Sequence, residues 1–272
     1  MTDASEPIRR FPDAREDLKR WDRQPDTPQT LSPSYRLAFS DREFLTRDEL
    51  RPVRLQLELL KAEMALAERG IRSTIVMMGS ARIPDPENTA SAATGLARLA
   101  PFYAEAREFA RLATLRAIAS GNTEDVICTG GGPGIMEAGN RGAADAGGIS
   151  VSLNIVLPHE QSPNLYGTPE LSFNFHYFAI RKMHFLMRAR ALAVFPGGFG
   201  TLDELFEVLT LVQTGRMKRL PILLFGEAFW RGVVNWEALV EAGTIAARDL
   251  DLIEYVGGPA EALARIDAWR RD

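Results

Sequence analysis

The sequence has 272 residues, of which 46% are hydrophobic and 25% charged, and its formal net charge is −4 at pH 7. This length and apolar content are enough to bury the core of one large domain. The small negative charge argues against a basic face that binds nucleic acid. The single cysteine, Cys128, excludes an internal disulfide and predicts a reducing compartment; its apolar neighbours predict a core position.

The N-terminal segment has no apolar core of signal-peptide length, and no apolar run approaches the roughly 20 residues that a membrane span needs. We therefore expect a cytoplasmic protein that has neither a membrane nor a nucleic acid as its partner.

The first 70 residues are predicted to form an N-terminal arm and helix. Residues 1 to about 35 are polar and contain proline, which is typical of an arm that is partly disordered or packed on a neighbour. Two candidate capping boxes follow, Ser40-x-x-Glu43 and Thr46-x-x-Glu49. The second opens an amphipathic stretch that ends near Gly70, and we expect this helix to lie against the following domain.

From Ser73 onward the chain repeats a pattern of strand, glycine loop and helix. The predicted strands are short, continuous apolar runs at residues 74–78, 125–129, 149–153, 191–195 and 220–225. Helices are predicted over most of 88–120, after Gly134, at 177–190 and at 202–214, with about two more in the tail. Continuous apolar runs are typical of parallel strands that are buried on both faces. Residues 71–272 are therefore predicted to form an α/β domain, a doubly wound Rossmann-like parallel sheet flanked by helices.

Glycine-rich loops follow three of the predicted strands: Gly79-Ser80-Ala81-Arg82, Gly130-Gly131-Gly132-Pro133-Gly134, and Pro196-Gly197-Gly198-Phe199-Gly200-Thr201. Each glycine loop alone is consistent with a tight turn. Together they would open onto one crevice, where free N–H groups and helix dipoles favour an anion.

The loops do not match the common nucleotide fingerprints. There is no G-x-x-x-x-G-K-[ST], and Gly130-x-Gly132-x-Gly134 lacks the spacing of G-x-G-x-x-G. The pattern predicts a phosphorylated ligand that is smaller than a dinucleotide.

The stretch Pro196-Gly197-Gly198-Phe199-Gly200-Thr201-Leu202-Asp203-Glu204 resembles the PGGxGTxxE signature of the LOG ("Lonely Guy") family of cytokinin-activating phosphoribohydrolases. Arg181-Lys182 resembles that family's RK motif, GGGPGIM at 130–136 its GGGxxGxM element, and Gly79-Ser80 its first-strand loop. The resemblance covers roughly residues 73–226, and the N-terminal extension is similar to the longer, bacterial type. Many such sequences have been labelled lysine decarboxylases.

The resemblance implies a purine nucleoside 5′-monophosphate as substrate, either an N6-modified adenosine monophosphate or AMP itself. It also implies water as acceptor, no metal, no cofactor, and a site completed across a homodimer or a higher homo-oligomer. Arg181 and Glu204 correspond to the family's catalytic pair. The expected substrate-binding residues are Gly79, Ser80, Arg82, Gly131, Gly132, Gly134, Met136, Glu137, Lys182, Pro196, Gly197, Gly198, Gly200 and Thr201.

These residue types suit glycosidic cleavage, which passes through an oxocarbenium-like ribose and requires a carboxylate near the anomeric carbon. Glu204 can stabilise the cation, hold the ribose hydroxyls or orient water. Arg181 can bind phosphate or polarise the leaving base.

Simpler structural roles remain open for several of these residues. Thr201-x-x-Glu204 is also spaced as a capping box. Arg181 and Lys182 can form a solvated helix face, Glu137 can be a first-turn acid, and Arg82 a surface residue.

Three alternatives to the cytokinin-type hydrolase also remain. A pyridoxal-phosphate decarboxylase needs a Schiff-base lysine, and of Lys19, Lys61, Lys182 and Lys218 only Lys182 has a site-like position. A non-catalytic nucleotide or molybdenum-cofactor carrier would share the fold. A broader nucleosidase would cleave AMP, GMP or other nucleotides without preference for modified adenines.

The histidines His159, His176 and His184 lack metal-ligand spacing, so no metal site is expected. We interpret the loop 158–163, which contains His159, as a lid over the site.

Overall fold

A parallel sheet carries all three glycine loops at the carboxyl ends of its strands. The structure, a computed structural model, describes residues 11–90, 93–158 and 162–269. In that part of the chain the sheet has seven strands in the order β4-β3-β2-β1-β5-β6-β7. The strands are β1 (Thr74–Met78), β2 (Val126–Thr129), β3 (Ser150–Ile155), β4 (Ser172–Phe175), β5 (Ala189–Val194), β6 (Ile222–Phe225) and β7 (Glu254–Val256).

The strand order reverses at β1, which pairs with β2 on one side and with β5 on the other. In an open α/β sheet, a ligand crevice lies outside the carboxyl ends of the strands at such a switch point. The first and third glycine loops follow β1 and β5, and the second follows β2, so the topology places the three loops together.

Eleven α-helices lie in the described residues. They are α1 (Ala14–Trp21), α2 (Arg42–Leu45), α3 (Arg51–Glu68), α4 (Thr94–Ala97), α5 (Pro101–Ala119), α6 (Ile135–Asp145), α7 (Phe178–Met187), α8 (Phe199–Gln213), α9 (Glu227–Val233), α10 (Trp236–Glu241) and α11 (Pro259–Trp269). Short 3₁₀ turns occur at Pro33–Tyr35, Ala38–Ser40, Asp48–Leu50, Pro86–Asn88, Pro169–Leu171 and Ala247–Leu252.

The sheet is covered on both faces, as its continuous apolar strands predict. Val76 and Met78 point into one core with residues of α3, α7 and α8, whereas Ile75 and Met77 point into a second core with residues of α5, α6 and α11. Every residue of β1 is buried, so alternation between apolar and polar residues is not required. The predicted fold class is confirmed.

The chain divides into two compact units, Met1–Leu57 and Glu58–Asp272, and the division falls within α3. The predicted domain division at residue 70 stays a prediction. Within the second unit, Ala62 and Leu66 of α3 are buried in the core, so this part of the predicted helix does lie against the sheet.

The N-terminal unit contains more helix than its polar sequence indicated. Asp13 caps α1, since its carboxylate accepts from the backbone N–H groups of Arg15 and Glu16. Asp41, rather than Ser40, caps α2 in the same way. The predicted Thr46 capping box is wrong, because Thr46 ends α2 and its hydroxyl donates to the Arg42 carbonyl.

The predicted 88–120 helix is wrong as a single element: α4 and α5 are separate, and Pro101 begins α5. Two edge strands, β4 and β7, were not predicted. The Ser-Phe-Asn-Phe sequence of β4 alternates between exposed and buried residues, because an edge strand is only partly covered, and it does not form a continuous apolar run.

No helix in the described ranges is long and apolar enough to cross a membrane.

Candidate active site

A cavity of about 410 Å³ opens at the carboxyl ends of the central strands. All three glycine loops contribute to its lining, as do the end of β3, the loop after it, α7 and α8. The lining residues are Gly79, Ser80, Ala81, Arg82, Gly130, Gly132, Met136, Asn154, Ile155, Leu157, Ser162, Phe178, Arg181, Gly198, Gly200, Thr201 and Glu204.

Backbone hydrogen bonds through Ser80 join the three glycine loops. The Ser80 N–H donates to the Pro196 carbonyl over 3.0 Å, and the Ile135 N–H donates to the Ser80 carbonyl over 3.1 Å. Gly134 has a φ of +68° and packs against the Ser80 carbonyl, a conformation and a closeness that suit glycine. The loops therefore form one connected frame.

The third glycine loop leads into α8 and leaves backbone N–H groups free for an anion. Gly198 is the N-cap, and the helical hydrogen bonds begin where the Leu202 N–H donates to the Gly198 carbonyl. The N–H groups of residues 199–201 precede that ladder and have no helical acceptor. Because α8 begins at Phe199, Thr201 lies inside the first turn, so the capping box that the sequence left open for Thr201 and Glu204 is absent.

Arg181 lies on α7 and is 8% exposed. Its Nε donates to the Leu153 carbonyl over 2.7 Å, and Nη2 lies 3.5 Å from the Gly130 carbonyl. The guanidinium also lies 5.1 Å from the centre of the Phe185 ring. Arg181 is therefore not part of a solvated helix face; it is held against the second glycine loop and the end of β3.

Glu204 lies on α8 and faces Arg181, with 3.8 Å between its Oε1 and Nη1 of Arg181. Burial raises the pKa of Glu204 to about 7, although the Arg181 charge opposes this change. Burial also lowers the pKa of Arg181, and the Glu204 charge counteracts that effect. The pair places one cation and one titratable carboxyl in a recess that glycine loops surround.

Side chains of α3 hold both ends of α7, the helix that carries Arg181. The Glu58 carboxylate accepts from the backbone N–H groups of His176 and Tyr177 at the start of α7. Glu63 pairs with Arg188 at its end, through two contacts of 2.6 and 2.7 Å.

Several predicted binding residues do not line the cavity. Gly131, Gly134, Pro196 and Gly197 lie in the second and third glycine loops but are not among the lining residues. The Glu137 carboxylate accepts from the Tyr103 hydroxyl over 2.7 Å. Lys182 points toward α8, where its Nζ pairs with Asp203 and Glu207. Arg82 does line the cavity, while it remains exposed.

Four lining residues outside the glycine loops and the proposed lid were not predicted: Asn154, Ile155, Leu157 and Phe178, while Ser162 of that lid does line the cavity. Asn154 and Ile155 end β3, so their position at a strand's carboxyl end was the available signal. The first and second glycine loops contribute two more unpredicted residues, Ala81 and Gly130. The proposed lid is described only in part, because residues 159–161, His159 among them, lie outside the described residues.

Asn164 connects the loop after β3 to the second glycine loop. Its backbone N–H donates to the Gly131 carbonyl and its amide nitrogen to the Gly132 carbonyl, over 2.9 and 3.0 Å. The amide nitrogen also donates to Asn140, whose oxygen accepts from the Thr129 hydroxyl. This partly buried network fixes the position of the loop relative to β2.

Cys128 is a core residue, as predicted, and burial raises the pKa of its thiol to about 12. In the described part of the chain, no three His, Cys, Asp or Glu side chains are grouped as metal ligands. The expectation of a metal-free and cofactor-free site stays a prediction.

A sequence-family model described as "Possible lysine decarboxylase" matches residues 136–266. "Probable cytokinin riboside 5'-monophosphate phosphoribohydrolase LOGL5" of Oryza sativa subsp. japonica is 30% identical over 163 residues, 53% of this chain and 65% of that protein. "Cytokinin riboside 5'-monophosphate phosphoribohydrolase LOG4" of Arabidopsis thaliana is 27% identical over 148 residues, 53% of this chain and 67% of that protein. The chain thus spans about two thirds of these relatives' length. The resemblance predicted from the sequence is confirmed.

Among solved structures, a molybdenum cofactor binding protein from Rippkaea orientalis is 17% identical, with a TM-score of 0.45 over 72% of this chain and 96% of that chain. A molybdenum cofactor carrier protein from Chlamydomonas reinhardtii is 18% identical, with a TM-score of 0.44 over 74% of this chain and 99% of that chain. Similarity at this level carries no argument about function.

Proposed function

Starting from this chain's similarity to the LOG phosphoribohydrolases, we propose that it hydrolyses the N-glycosidic bond of a purine nucleoside 5′-monophosphate. The products are the free base and ribose 5-phosphate. The observation that carries this proposal is the Arg181–Glu204 pair at the wall of a cavity lined by three glycine loops.

The phosphate is assigned to the start of α8. Residues 199–201 offer backbone N–H groups there, and the positive end of the helix dipole favours an anion. Thr201 is buried and lines the cavity, so its hydroxyl is available as a further donor. Glu204 follows one turn later along α8, so we assign its carboxyl to the ribose attached to that phosphate.

The reaction breaks the bond between C1′ of the ribose and N9 of the purine. The bonding electrons leave with the base, positive charge develops on the ribose, and the ionised Glu204 carboxylate stabilises that charge. The oxygen of one water bonds to C1′, and one proton from that water ends on the departing base. Arg181 remains charged and polarises the base or the phosphate.

The decarboxylase label fits the site less well. A pyridoxal-phosphate enzyme needs a lysine beside its cofactor. No lysine is found among the described residues that line the cavity, and the Lys182 ammonium is already paired with two carboxylates on α8.

The base is assigned to the apolar part of the lining, to which Ile155, Leu157 and Phe178 contribute. An apolar wall contributes only about 1–3 kcal/mol of discrimination for each small group. We therefore propose purine nucleotides as the substrate class and leave the choice between AMP and an N6-modified adenine nucleotide to measurement.

The test is incubation of the purified protein with AMP, GMP and isopentenyladenosine monophosphate, with free base and ribose 5-phosphate measured by chromatography. Glu204→Gln removes the charge with little change in shape, and exposed Glu241→Gln is the matched control. Base release that Glu204→Gln abolishes and Glu241→Gln retains supports the proposal. Nucleotide binding without base release from any of the three substrates contradicts it and favours a carrier.

We also propose that the protein acts as a homodimer or a larger homo-oligomer, as the family resemblance implies. Sedimentation velocity with and without AMP tests this, and a monomer under both conditions refutes it.

A further inference from the structure

Lys182 connects the two helices that carry the Arg181–Glu204 pair. Its Nζ lies 3.1 Å from Oδ2 of Asp203 and 3.1 Å from Oε2 of Glu207. Asp203 and Glu207 are four residues apart on α8, so they lie on the same side of the helix, one turn apart. Glu204 lies between them in the sequence and faces Arg181, the neighbour of Lys182 on α7.

The arrangement has two levels. The inner level is the buried Arg181–Glu204 pair, and the outer level is Lys182 with its two carboxylates. The Lys182 side chain is 20% exposed, whereas those of Asp203 and Glu207 are 58% and 33% exposed. Burial opposes the charge on Lys182, but hydrogen bonds to Asp203 and Glu207 raise its pKa on balance. Its ammonium is therefore a permanent cation at neutral pH.

We propose that Lys182 is a positioning residue whose ammonium holds Asp203 and Glu207 on α8 and thereby governs both the placement and the charge of Glu204. Its role in the reaction rests on the proposed function, whereas its effect on Glu204 does not.

Electrostatics supports this role. The groups that face Glu204 are Arg181 and Lys182 from α7, Cys128 from β2, and Asp203 and Glu207 from its own helix. Arg181 and Lys182 favour the ionised carboxylate, and the negative charges of Asp203 and Glu207 oppose it. Without Lys182, two uncompensated carboxylates would act on Glu204 at close range. Lys182 is thus a counterion for the neighbours of Glu204.

The geometry separates this role from substrate binding. The Lys182 ammonium makes contacts of 3.1 Å with both carboxylates, and its side chain does not line the cavity. A ligand phosphate would have to displace two anions before it could bind Nζ.

The experiment follows the Glu204 carboxyl directly by NMR on the full chain with ¹³C-labelled glutamate carboxyls, assigned with Glu204→Gln. Lys182→Met removes the cation, and Glu207→Gln removes one anion. We expect Lys182→Met to raise the Glu204 titration midpoint by about 0.5 to 1 on the pH scale, and Glu207→Gln to lower it by a similar amount. Lys182→Arg should restore the parent midpoint, and exposed Lys61→Met should leave it unchanged.

Opposite shifts of the Glu204 midpoint in these two variants distinguish charge compensation from loosened packing, because loosened packing would shift the midpoint in the same direction in both. An unchanged midpoint in Lys182→Met, or the same direction of change in both variants, overturns the proposal. The result is independent of turnover: opposite shifts in a protein that cleaves no nucleotide would uphold the role of Lys182 and refute the phosphoribohydrolase.

For an active protein, the pH dependence of kcat/KM should shift with the NMR midpoint in each variant. A Lys182→Met enzyme with reduced kcat/KM at every pH and an unshifted profile would show a purely structural effect and contradict the proposal.

Discussion

Oε1 of Glu204 on α8 and Nη1 of Arg181 on α7 lie 3.8 Å apart, and both residues line the cavity. This distance is within the range of an ionic attraction but longer than a hydrogen bond. Arg181 is instead hydrogen-bonded to the Leu153 carbonyl. Glu204 therefore keeps acceptor capacity for a ligand, and its charge is only partly compensated.

Removal of the Glu204 charge should remove catalysis and preserve binding. We expect Glu204→Gln to lower kcat by about 10²- to 10⁴-fold, because the carboxylate acts on charge that develops only in the transition state. AMP affinity, measured by calorimetry, should change little. An activity within threefold of the parent would contradict the assigned role.

The activity should rise with pH through about 7. Glu204 acts as the ionised carboxylate, and burial places its pKa at about 7, so the active fraction grows as pH rises and levels off above that value. The measurement is kcat/KM for AMP between pH 5 and pH 9. A profile that falls over this range would assign Glu204 the role of a protonated acid.

The same residue should make the folded state less stable at high pH. The pKa of Glu204 in the folded protein, about 7, lies above the ordinary value of 4.5, so its favourable contribution is complete below 4.5 and is lost as pH rises through 7. Glutamine does not titrate. The free energy of unfolding of Glu204→Gln relative to the parent should therefore increase by about 2–3 kcal/mol between pH 5 and pH 8. Urea titrations at both pH values test this, and a difference independent of pH would refute it.

Gly130→Ala should displace Arg181. A Cβ at Gly130 would lie 2.5 Å from Nη2 of Arg181 and 2.6 Å from the sulfur of Met136. A displacement of about 1 Å in a catalytic group can reduce the rate on the order of 100-fold, so we expect a loss of at least about tenfold in kcat/KM. Gly232→Ala is the matched control, because its Cβ would meet nothing within 4 Å. Equal activity in the two variants would show that Arg181 tolerates the methyl group.

Asn164→Ala should loosen the loop after β3. The substitution leaves the Gly132 carbonyl and the N–H groups of Tyr166 and Gly167 without their side-chain partner. Two of these hydrogen bonds are partly buried and the one to Tyr166 is exposed, so each contributes about 0.5–1.5 kcal/mol. We expect a higher KM for AMP and faster proteolysis within residues 156–168, measured by mass spectrometry, while exposed Asn88→Ala should resemble the parent. Unchanged proteolysis would contradict this account of Asn164.

The sequence predicted the central elements accurately. The prediction for β1 coincides with the observed Thr74–Met78, because a short apolar run buried on both faces has few alternatives. The edge strands β4 and β7 were missed, and the helix over 88–120 was predicted as one element although Pro101 begins a new one. Local sequence patterns predict such places poorly, because the partial exposure of an edge strand and the interruption of a helix depend on neighbouring elements.

By itself the sequence determined the fold class and the three glycine loops, because glycine spacing and strand hydrophobicity are local properties. Arg181 and Glu204 were singled out by the resemblance to the LOG family. Only the tertiary structure decided which side chains of these motifs enter the cavity. Glu137 accepts a hydrogen bond from Tyr103, and Lys182 forms ion pairs with Asp203 and Glu207. Neither Glu137 nor Lys182 lines the cavity, whereas Asn154, Ile155 and Phe178 do. The physical reason is that the direction of a side chain on a helix or a strand end follows from its packing against distant parts of the chain, and no local motif records that packing.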